Sequence, residues 1–269
     1  MEMLMQMFSY PFIVRAFIVG ILVSLCAALL GVSLVLKQYS MIGDGLSHVS
    51  YGALSIAIAC GIAPLALSIP VVIVAAFFLL RMTENGLMKS DAAIAAMSAS
   101  ALAIGVSVTS LTTTDVCSYM FGSILAMTSA DVYLSVGLSV IVLLLFIFCY
   151  HSIFTVTFDE SFARATGVKV SFYNTMIAIL TAVTIVLGMQ MMGAMLISSL
   201  VIFPALTSMR IWKSFKSVVI SSGILAVICF CIGMIVSYQF STPAGASVVL
   251  VNLCAFAIFF VIQKIREHI

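Results

Sequence analysis

Long apolar stretches, separated by short polar segments, run along almost the whole chain. Stretches without Asp, Glu, Lys or Arg cover residues 16–36, 45–80, 92–114, 132–158, 170–209 and 217–263. A helix needs about 20 mostly apolar residues to cross a bilayer. Three of the stretches, 45–80, 170–209 and 217–263, are long enough for two crossings. Each also contains a break that would divide it into two helices: at Gly61 and Pro64, within 188–193, and at 241–243. The pattern predicts about nine transmembrane helices.

The apolar stretches also decide the fold class. A strand of a membrane β-barrel alternates apolar and polar residues over about ten positions, and these stretches do not alternate. We therefore expect an all-α polytopic membrane protein. A single transmembrane domain should span residues 1–269, with one larger loop at about 151–171.

The positive charges predict the orientation. Lys and Arg in short loops favour the cytoplasmic side of the membrane. With nine crossings and the N-terminus outside, all of the eleven Lys and Arg residues except Arg15 fall on the cytoplasmic side. The C-terminus is then cytoplasmic as well.

Composition removes several classes of protein. Apolar residues make up 64% of the chain and charged residues 7%, against about 25% charged in soluble domains. This excludes a soluble globular domain, a disordered tail and a nucleic-acid binder, which would need a basic surface. The sequence also lacks the phosphate-binding G-x-x-x-x-G-K-[ST] motif, the zinc-protease H-E-x-x-H motif and the serine-hydrolase G-x-S-x-G motif. We therefore predict no enzymatic activity for this chain.

One acidic residue does not fit a loop or a tail. Asp44 lies near the start of a predicted crossing, and His48 follows four residues later. Positions i and i+4 share a helix face. A carboxylate and an imidazole suit Zn²⁺ or Mn²⁺, and ionisable groups within a span usually serve a function. Asp44 and His48 are thus candidate metal ligands.

A structural interpretation of the same pair stays open. Asp44 lies only seven residues after Lys37, which is roughly 10 Å along a helix. It could cap a helix at the inner interface, with His48 hydrogen-bonded to it. Two ligands also fall short of a closed four-coordinate site. This suits a carrier that must release its ion, with other helices or water completing the coordination.

The predicted inner loop contains a short helix. Asp159 or Glu160 can cap it, and Gly167 can end it. The helix would carry Phe158 and Phe162. Such a helix could lie in the membrane interface or could insert aromatic side chains into a partner protein. Its composition does not decide between the two.

Five segments, in order along the chain, resemble motifs of one family. They are Gly43-Asp44 with Ser47-His48, the segment 119–131 (YMFGSILAMTSAD), the loop 159–168, the segment 193–205 (GAMLISSLVIFPA) and the segment 242–250 (TPAGASVVL). Together they resemble the permease subunits of bacterial ABC importers for zinc and manganese, with the greatest likeness to zinc permeases of the ZnuB type. The match covers nearly the whole chain.

The resemblance implies a role for each part. Asp44 and His48 would bind the metal in the translocation path. The loop would be the coupling helix that docks on a cytoplasmic ATPase dimer, through Phe158, Asp159, Glu160, Phe162, Ala163 and Gly167. The ATPase subunits would bind ATP, and an extracytoplasmic metal-binding protein would deliver the ion. The permease would pair with a second copy of itself in the lipid of the bacterial cytoplasmic (inner) membrane.

The resemblance favours an ABC permease for Zn²⁺, with no permanently bound cofactor. The alternatives are an Mn²⁺ or Fe²⁺ ABC permease, a stand-alone proton-coupled carrier in which Asp44 and His48 relay protons, and a membrane scaffold without transport. Imidazole with carboxylate serves zinc and manganese alike, so the residue types leave the metal open.

Overall fold

The computed structural model describes residues 7, 9–86, 88–111 and 128–267. Within these ranges the chain forms eleven helices and no strand, as expected for an all-α protein. They are α1 (Pro11–Leu36), α2 (Ile42–Ala59), α3 (Pro64–Glu84), α4 (Ser90–Leu111), α5 (Ser129–Phe148), α6 (Tyr150–Phe158), α7 (Glu160–Ala165), α8 (Val170–Met192), α9 (Ala194–Met209), α10 (Phe215–Phe240) and α11 (Ala244–Glu267).

Seven helices of the described ranges are long and apolar enough to cross a membrane: α1, α3, α4, α5, α8, α10 and α11. The other two predicted crossings also form helices, but α2 has 18 residues and carries Asp44 and His48, and α9 has only 16. Both pack against several other helices. A helix surrounded by protein need not match the thickness or the polarity of the lipid.

Local sequence signals explain where the helices begin and end. Proline occupies the first turn of α1 at Pro11 and of α3 at Pro64, where its missing N–H breaks no helical bond. Gly193, with a φ of 91°, separates α8 from α9. Ser241, with a φ of 52°, ends α10 just before Pro243. The predicted breaks thus separate the helices as expected.

Helix α1 lies at the centre of the bundle, in contact with α5, α8, α9 and α10. In the most apolar 18-residue segment of α1, 67% of the residues are buried; in the corresponding segment of α4 the share is 17%. A Cβ at Gly31 would lie 2.0 Å from the carbonyl oxygen of Val201 on α9, and one at Gly20 would lie 2.1 Å from the ring of Phe230 on α10. Small residues therefore let the neighbouring helices approach α1 closely.

The second segment of the family resemblance, residues 119–131, lies mostly outside the described residues. Its last part, from Thr128 to Asp131, forms a capping box at the start of α5, in which each side chain accepts a hydrogen bond from the other residue's backbone N–H. Asp131 therefore has a structural role as part of the helix cap.

Candidate metal site and loop helix

Asp44 and His48 lie one turn apart near the start of α2. Asp44 is in the first turn of the helix, and the distance from its Oδ2 to Nε2 of His48 is 3.8 Å. The side chain of Asp44 is 41% exposed and that of His48 is 14% exposed. The two side chains thus share one face, with the carboxylate open and the imidazole largely enclosed.

The capping interpretation of Asp44 is wrong. The N-cap of α2 is Met41, and no side-chain capping hydrogen bond is formed there. The separation of 3.8 Å between Asp44 and His48 also exceeds hydrogen-bond length. Asp44 therefore stands inside the helix, where its negative charge is favoured by the N-terminal end of the helix dipole.

His48 retains an unused polar atom. Its Nδ1 is buried and has no hydrogen-bond partner among the described residues. Leaving a buried nitrogen unpaired costs about 1–3 kcal/mol. The nitrogen that faces Asp44 is Nε2, so an ion shared with that carboxylate would bond Nε2 rather than Nδ1. Ser47 Oγ, by contrast, donates a 2.7 Å hydrogen bond to the backbone oxygen of Asp44.

Glycines hold α2 tightly against its neighbours. A Cβ at Gly45 would lie 2.7 Å from Cγ2 of Ile94 on α4, and one at Gly52 would lie 2.8 Å from the backbone oxygen of Ala101. At Gly43 the nearest atom would be Cα of Ser198 on α9, at an ordinary 3.5 Å. The positions of Asp44 and His48 therefore depend on close contact with α4.

The candidate site offers two protein ligands from this chain. No cluster of three or more His, Cys, Asp or Glu residues occurs in the part of the chain that the structure describes. A carboxylate and an imidazole alone leave coordination positions for water or for another protein group. Such an open site binds an ion without enclosing it.

The loop helix α7 forms where the sequence predicts it. Oδ1 of Asp159 accepts a 2.9 Å hydrogen bond from the backbone N–H of Phe162, which caps the helix. Gly167 follows the helix end with a φ of 83°, a left-handed conformation that glycine adopts without steric penalty. Both predicted ends are thus confirmed.

The two faces of α7 differ in character. Ala163 is buried against Val156 of α6 and Val170 of α8. Phe158, which the sequence placed on the loop helix, is instead the last residue of α6; it is 58% exposed, and Phe162 on α7 is 59% exposed. Phe158 contacts the ring of Phe215 at 5.7 Å between centroids. An anchored helix with exposed aromatic side chains is suited to contact another surface.

The structure adds a polar cluster that the sequence did not reveal. Lys37, at the end of α1, donates hydrogen bonds to Oε1 of Glu160 at 2.8 Å and to Oδ1 of Asn174 on α8. Nδ2 of Asn174 donates to Glu160 at 3.1 Å and to Glu84 at the end of α3 at 3.2 Å. We call Lys37, Glu84, Glu160 and Asn174 the polar hub. No local motif marks it, because its members lie far apart in sequence.

The hub alters the acidity of Glu160. Partial burial alone would raise the pKa of this carboxyl group. Hydrogen bonds from Lys37 and Asn174, together with the positive charges of Lys37 and Arg164, lower the pKa below its ordinary value. Glu160 is therefore held as a carboxylate that faces the protein.

Comparison with known proteins decides the family. The family model described as "ABC 3 transport family" matches residues 9–263. This chain belongs to that family. The ABC 3 family chain is thus a multi-pass protein of the cytoplasmic membrane, as predicted, with seven apolar helices among its described residues.

Relatives of this ABC 3 family chain are similar over nearly their whole length. The manganese import system permease protein ScaB of Streptococcus gordonii is 30% identical, over 98% of this chain and 96% of its own. A protein named probable iron transport system membrane protein, from Haemophilus influenzae, is 31% identical over 98% of each chain. In the solved structure of PsaBC from Streptococcus pneumoniae in complex with Fab, one chain matches with a TM-score of 0.86 and 29% identity, over 96% of this chain and 94% of that one.

Proposed function

We propose that this chain is the membrane permease subunit of an ABC importer that carries a divalent transition metal into the cytoplasm. The observation that supports it most is the Asp44–His48 pair, on a helix packed against α3, α4, α8 and α9. The imidazole Nε2 of His48 lies 3.8 Å from the open carboxylate of Asp44, and such a pair within the bundle suits a passing cation. Family membership and the names of the relatives support the same function.

The transported metal is proposed as Mn²⁺ or Zn²⁺. The sequence favoured zinc, but one relative is named for manganese and another for iron. Mn²⁺ has therefore at least as much support as Zn²⁺. A mixed carboxylate and imidazole pair accepts either ion, and geometry decides between them. Competition among Mn²⁺, Zn²⁺ and Fe²⁺ in reconstituted transport measures the preference.

We further propose a single domain with nine crossings and the N-terminus outside, in which α2 and α9 are the two short crossings. The contacts of Lys37, Glu84, Glu160 and Asn174 support this topology. They bring the end of α1, the end of α3, the loop helix α7 and the start of α8 to the same end of the bundle. A nine-crossing chain with a cytoplasmic loop at about 151–171 requires these segments to be on one side.

The proposed assembly contains two copies of this chain, a cytoplasmic ATPase dimer and an extracytoplasmic metal-binding protein. ATP would bind to the ATPase subunits, and its hydrolysis would switch the permease between outward and inward openings. Water or the second copy would complete the coordination of the metal at Asp44 and His48. The exposed Phe158, at the end of α6, and Phe162, on α7, are the proposed contacts with the ATPase.

Transport in liposomes tests the metal site. With the ATPase and the binding protein present, Asp44→Asn and His48→Gln should each lower ATP-driven metal uptake by about tenfold or more, because each removes a ligand. Ser47→Ala is the matched control, since its hydroxyl bonds only within α2. Uptake at the wild-type rate by both ligand variants would reject the site.

Co-purification with the ATPase tests the loop helix. Phe162→Ala should reduce ATPase binding, whereas Phe172→Ala, which removes an equally exposed ring outside α7, should not. Equal binding by all three proteins would exclude α7 as the docking element. The alternative of a stand-alone proton-coupled carrier predicts pH-driven uptake by this chain alone, without ATP.

A further inference from the structure

The polar hub connects four segments that are distant in sequence. Lys37 and Glu160 are separated by 123 positions, and Lys37 and Asn174 by 137. The side chain of Lys37 is only 9% exposed and Asn174 is 8% exposed, whereas the side chain of Glu160 is 43% exposed. Partly buried ion pairs are less screened by salt than fully exposed pairs. The hub thus joins the segments through one buried ammonium group and one buried amide.

Lys37 is bonded to the loop helix and precedes Asp44 by seven residues in the chain. Its ammonium group binds Glu160, the first residue of α7. The chain then runs from Lys37 through Gln38, which has a φ of 62°, into α2. A non-glycine residue in this left-handed conformation is uncommon and needs support from its surroundings. The start of α2, with Asp44, is thus tied by a short turn to the residue that holds α7.

Among the described residues, the apolar cluster around Ala163 of α7 contains residues of α6 and α8 and of the segment between α7 and α8, but none of α3. An open cleft of about 690 Å³ lies between α7 and the end of α3, and polar side chains of the hub line it. Across this cleft Asn174 accepts from Lys37 and donates to both Glu84 and Glu160. Arg81 adds hydrogen bonds to Glu84 at 3.3 Å and to Ser171 at 3.2 Å. Hydrogen bonds between side chains thus add a polar connection to the apolar packing of α3 against α8.

The side chain of Glu160 and the aromatic side chains of the loop contact different surroundings. Phe158 and Phe162 are exposed, whereas Glu160 turns toward Lys37 and Asn174. The guanidinium group of Arg164 lies 3.7 Å from Oε2 of Glu160, and the side chain of Arg164 is 72% exposed. Contact with a partner and attachment to the bundle thus rest on separate side chains of the same short helix.

We propose that Lys37 is a positioning residue that transmits movement of the loop helix α7 to helix α2 and its metal ligands, through its bonds to Glu160 and Asn174. This inference rests on the proposed transport function. Motion of α7 pulls on Glu160, and the bond to Lys37 passes the displacement to the turn that begins α2. Glu84 and Asn174 move with it, so the ends of α1, α3 and α8 shift as one unit.

The test compares the number of metal ions transported for each ATP hydrolysed. The complete complex is reconstituted with wild-type chain, Lys37→Met, Lys37→Arg, Glu160→Gln or Arg164→Met. Lys37→Met, which lies outside the docking helix, should bind the ATPase normally and hydrolyse ATP, but lower the ratio by about tenfold. Glu160→Gln, on the docking helix itself, should lower the ratio to a similar extent. Lys37→Arg should keep most of the ratio. Arg164→Met, which removes the exposed partner of the same carboxylate, should change it by less than about twofold.

A charge exchange separates coupling from folding. Lys37→Glu combined with Glu160→Lys should recover part of the ratio, because the amide of Asn174 can donate or accept. An unchanged ratio in Lys37→Met and Glu160→Gln, or loss of ATPase binding in Lys37→Met, would overturn the proposal. If the wild-type complex takes up no metal, the proposed function itself fails. If the wild type transports and both variants match it, only the role of Lys37 is refuted.

Discussion

The contact between α2 and α4 beside Asp44 allows a matched pair of substitutions. Gly43 and Gly45 flank Asp44, and replacing either by alanine adds one methyl group to the same helix. At Gly43 the new Cβ would find its nearest neighbour, Cα of Ser198, at 3.5 Å. At Gly45 it would lie 2.7 Å from Cγ2 of Ile94. The first contact is ordinary, and the second is not.

The difference in stability can be worked from these distances. Carbon atoms pack at about 3.5–4.0 Å, so Ile94 or the whole of α4 must retreat by about 1 Å in Gly45→Ala. Inserting a methyl group into a packed site costs about 1–3 kcal/mol. Alanine gains up to about 1 kcal/mol over glycine inside a helix, and this gain is similar at both positions. Gly45→Ala should therefore be less stable than Gly43→Ala by about 1–3 kcal/mol.

Denaturation of the purified protein, followed by circular dichroism at the same detergent concentration, measures this difference. Because α4 holds the face of α2 next to Asp44, Gly45→Ala should also weaken metal uptake, whereas Gly43→Ala should retain it. If the two variants unfold at the same point, Ile94 does not constrain α2. If Gly43→Ala is the less stable, the order of the two contacts is wrong.

Two further predictions concern the loop helix α7. Asp159→Ala removes its N-cap, which should destabilise the helix by about 0.5–2 kcal/mol; hydrogen exchange of the Phe162 amide measures the loss, and unchanged protection would contradict the capping bond. Since the pKa of Glu160 is lowered, its stabilising contribution is fully present above the ordinary glutamate pKa and is lost as the pH falls through the lowered value. Amide protection in α7 should therefore decrease in acid more in the wild type than in Glu160→Gln; equal acid sensitivity would refute this.

Much of the helical architecture could be predicted from local pattern. The apolar stretches, the breaks at Pro64 and Gly193, and the cap and end of α7 at Asp159 and Gly167 all appear in the structure. Each depends on a few neighbouring residues. The sequence did not show that α2 and α9 would be the two shortest of the predicted crossings. A helix can be this short when protein surrounds it, and a count of apolar residues does not show which helices are surrounded.

The candidate site was only partly predictable. The spacing of Asp44 and His48 placed them on one helix face, and the structure shows a 3.8 Å approach on that face. Sequence could not exclude a capping role for Asp44, since the helix start at Met41 depends on how the turn after Lys37 folds. The orphan nitrogen of His48 and the contact of Gly45 with Ile94 also depend on neighbours from other helices.

The sequence by itself determined that the chain is a helical membrane protein, where most helices begin and end, and which pair of side chains could bind a metal. Lipid offers no hydrogen bonds to the backbone, so each crossing must satisfy its own, and this makes helices readable from local composition. Only the tertiary structure decided that α1 is central and that Lys37, Glu84, Glu160 and Asn174 meet at one end of the bundle. Packing between apolar helices depends on shape and on a few polar contacts, which no single segment specifies.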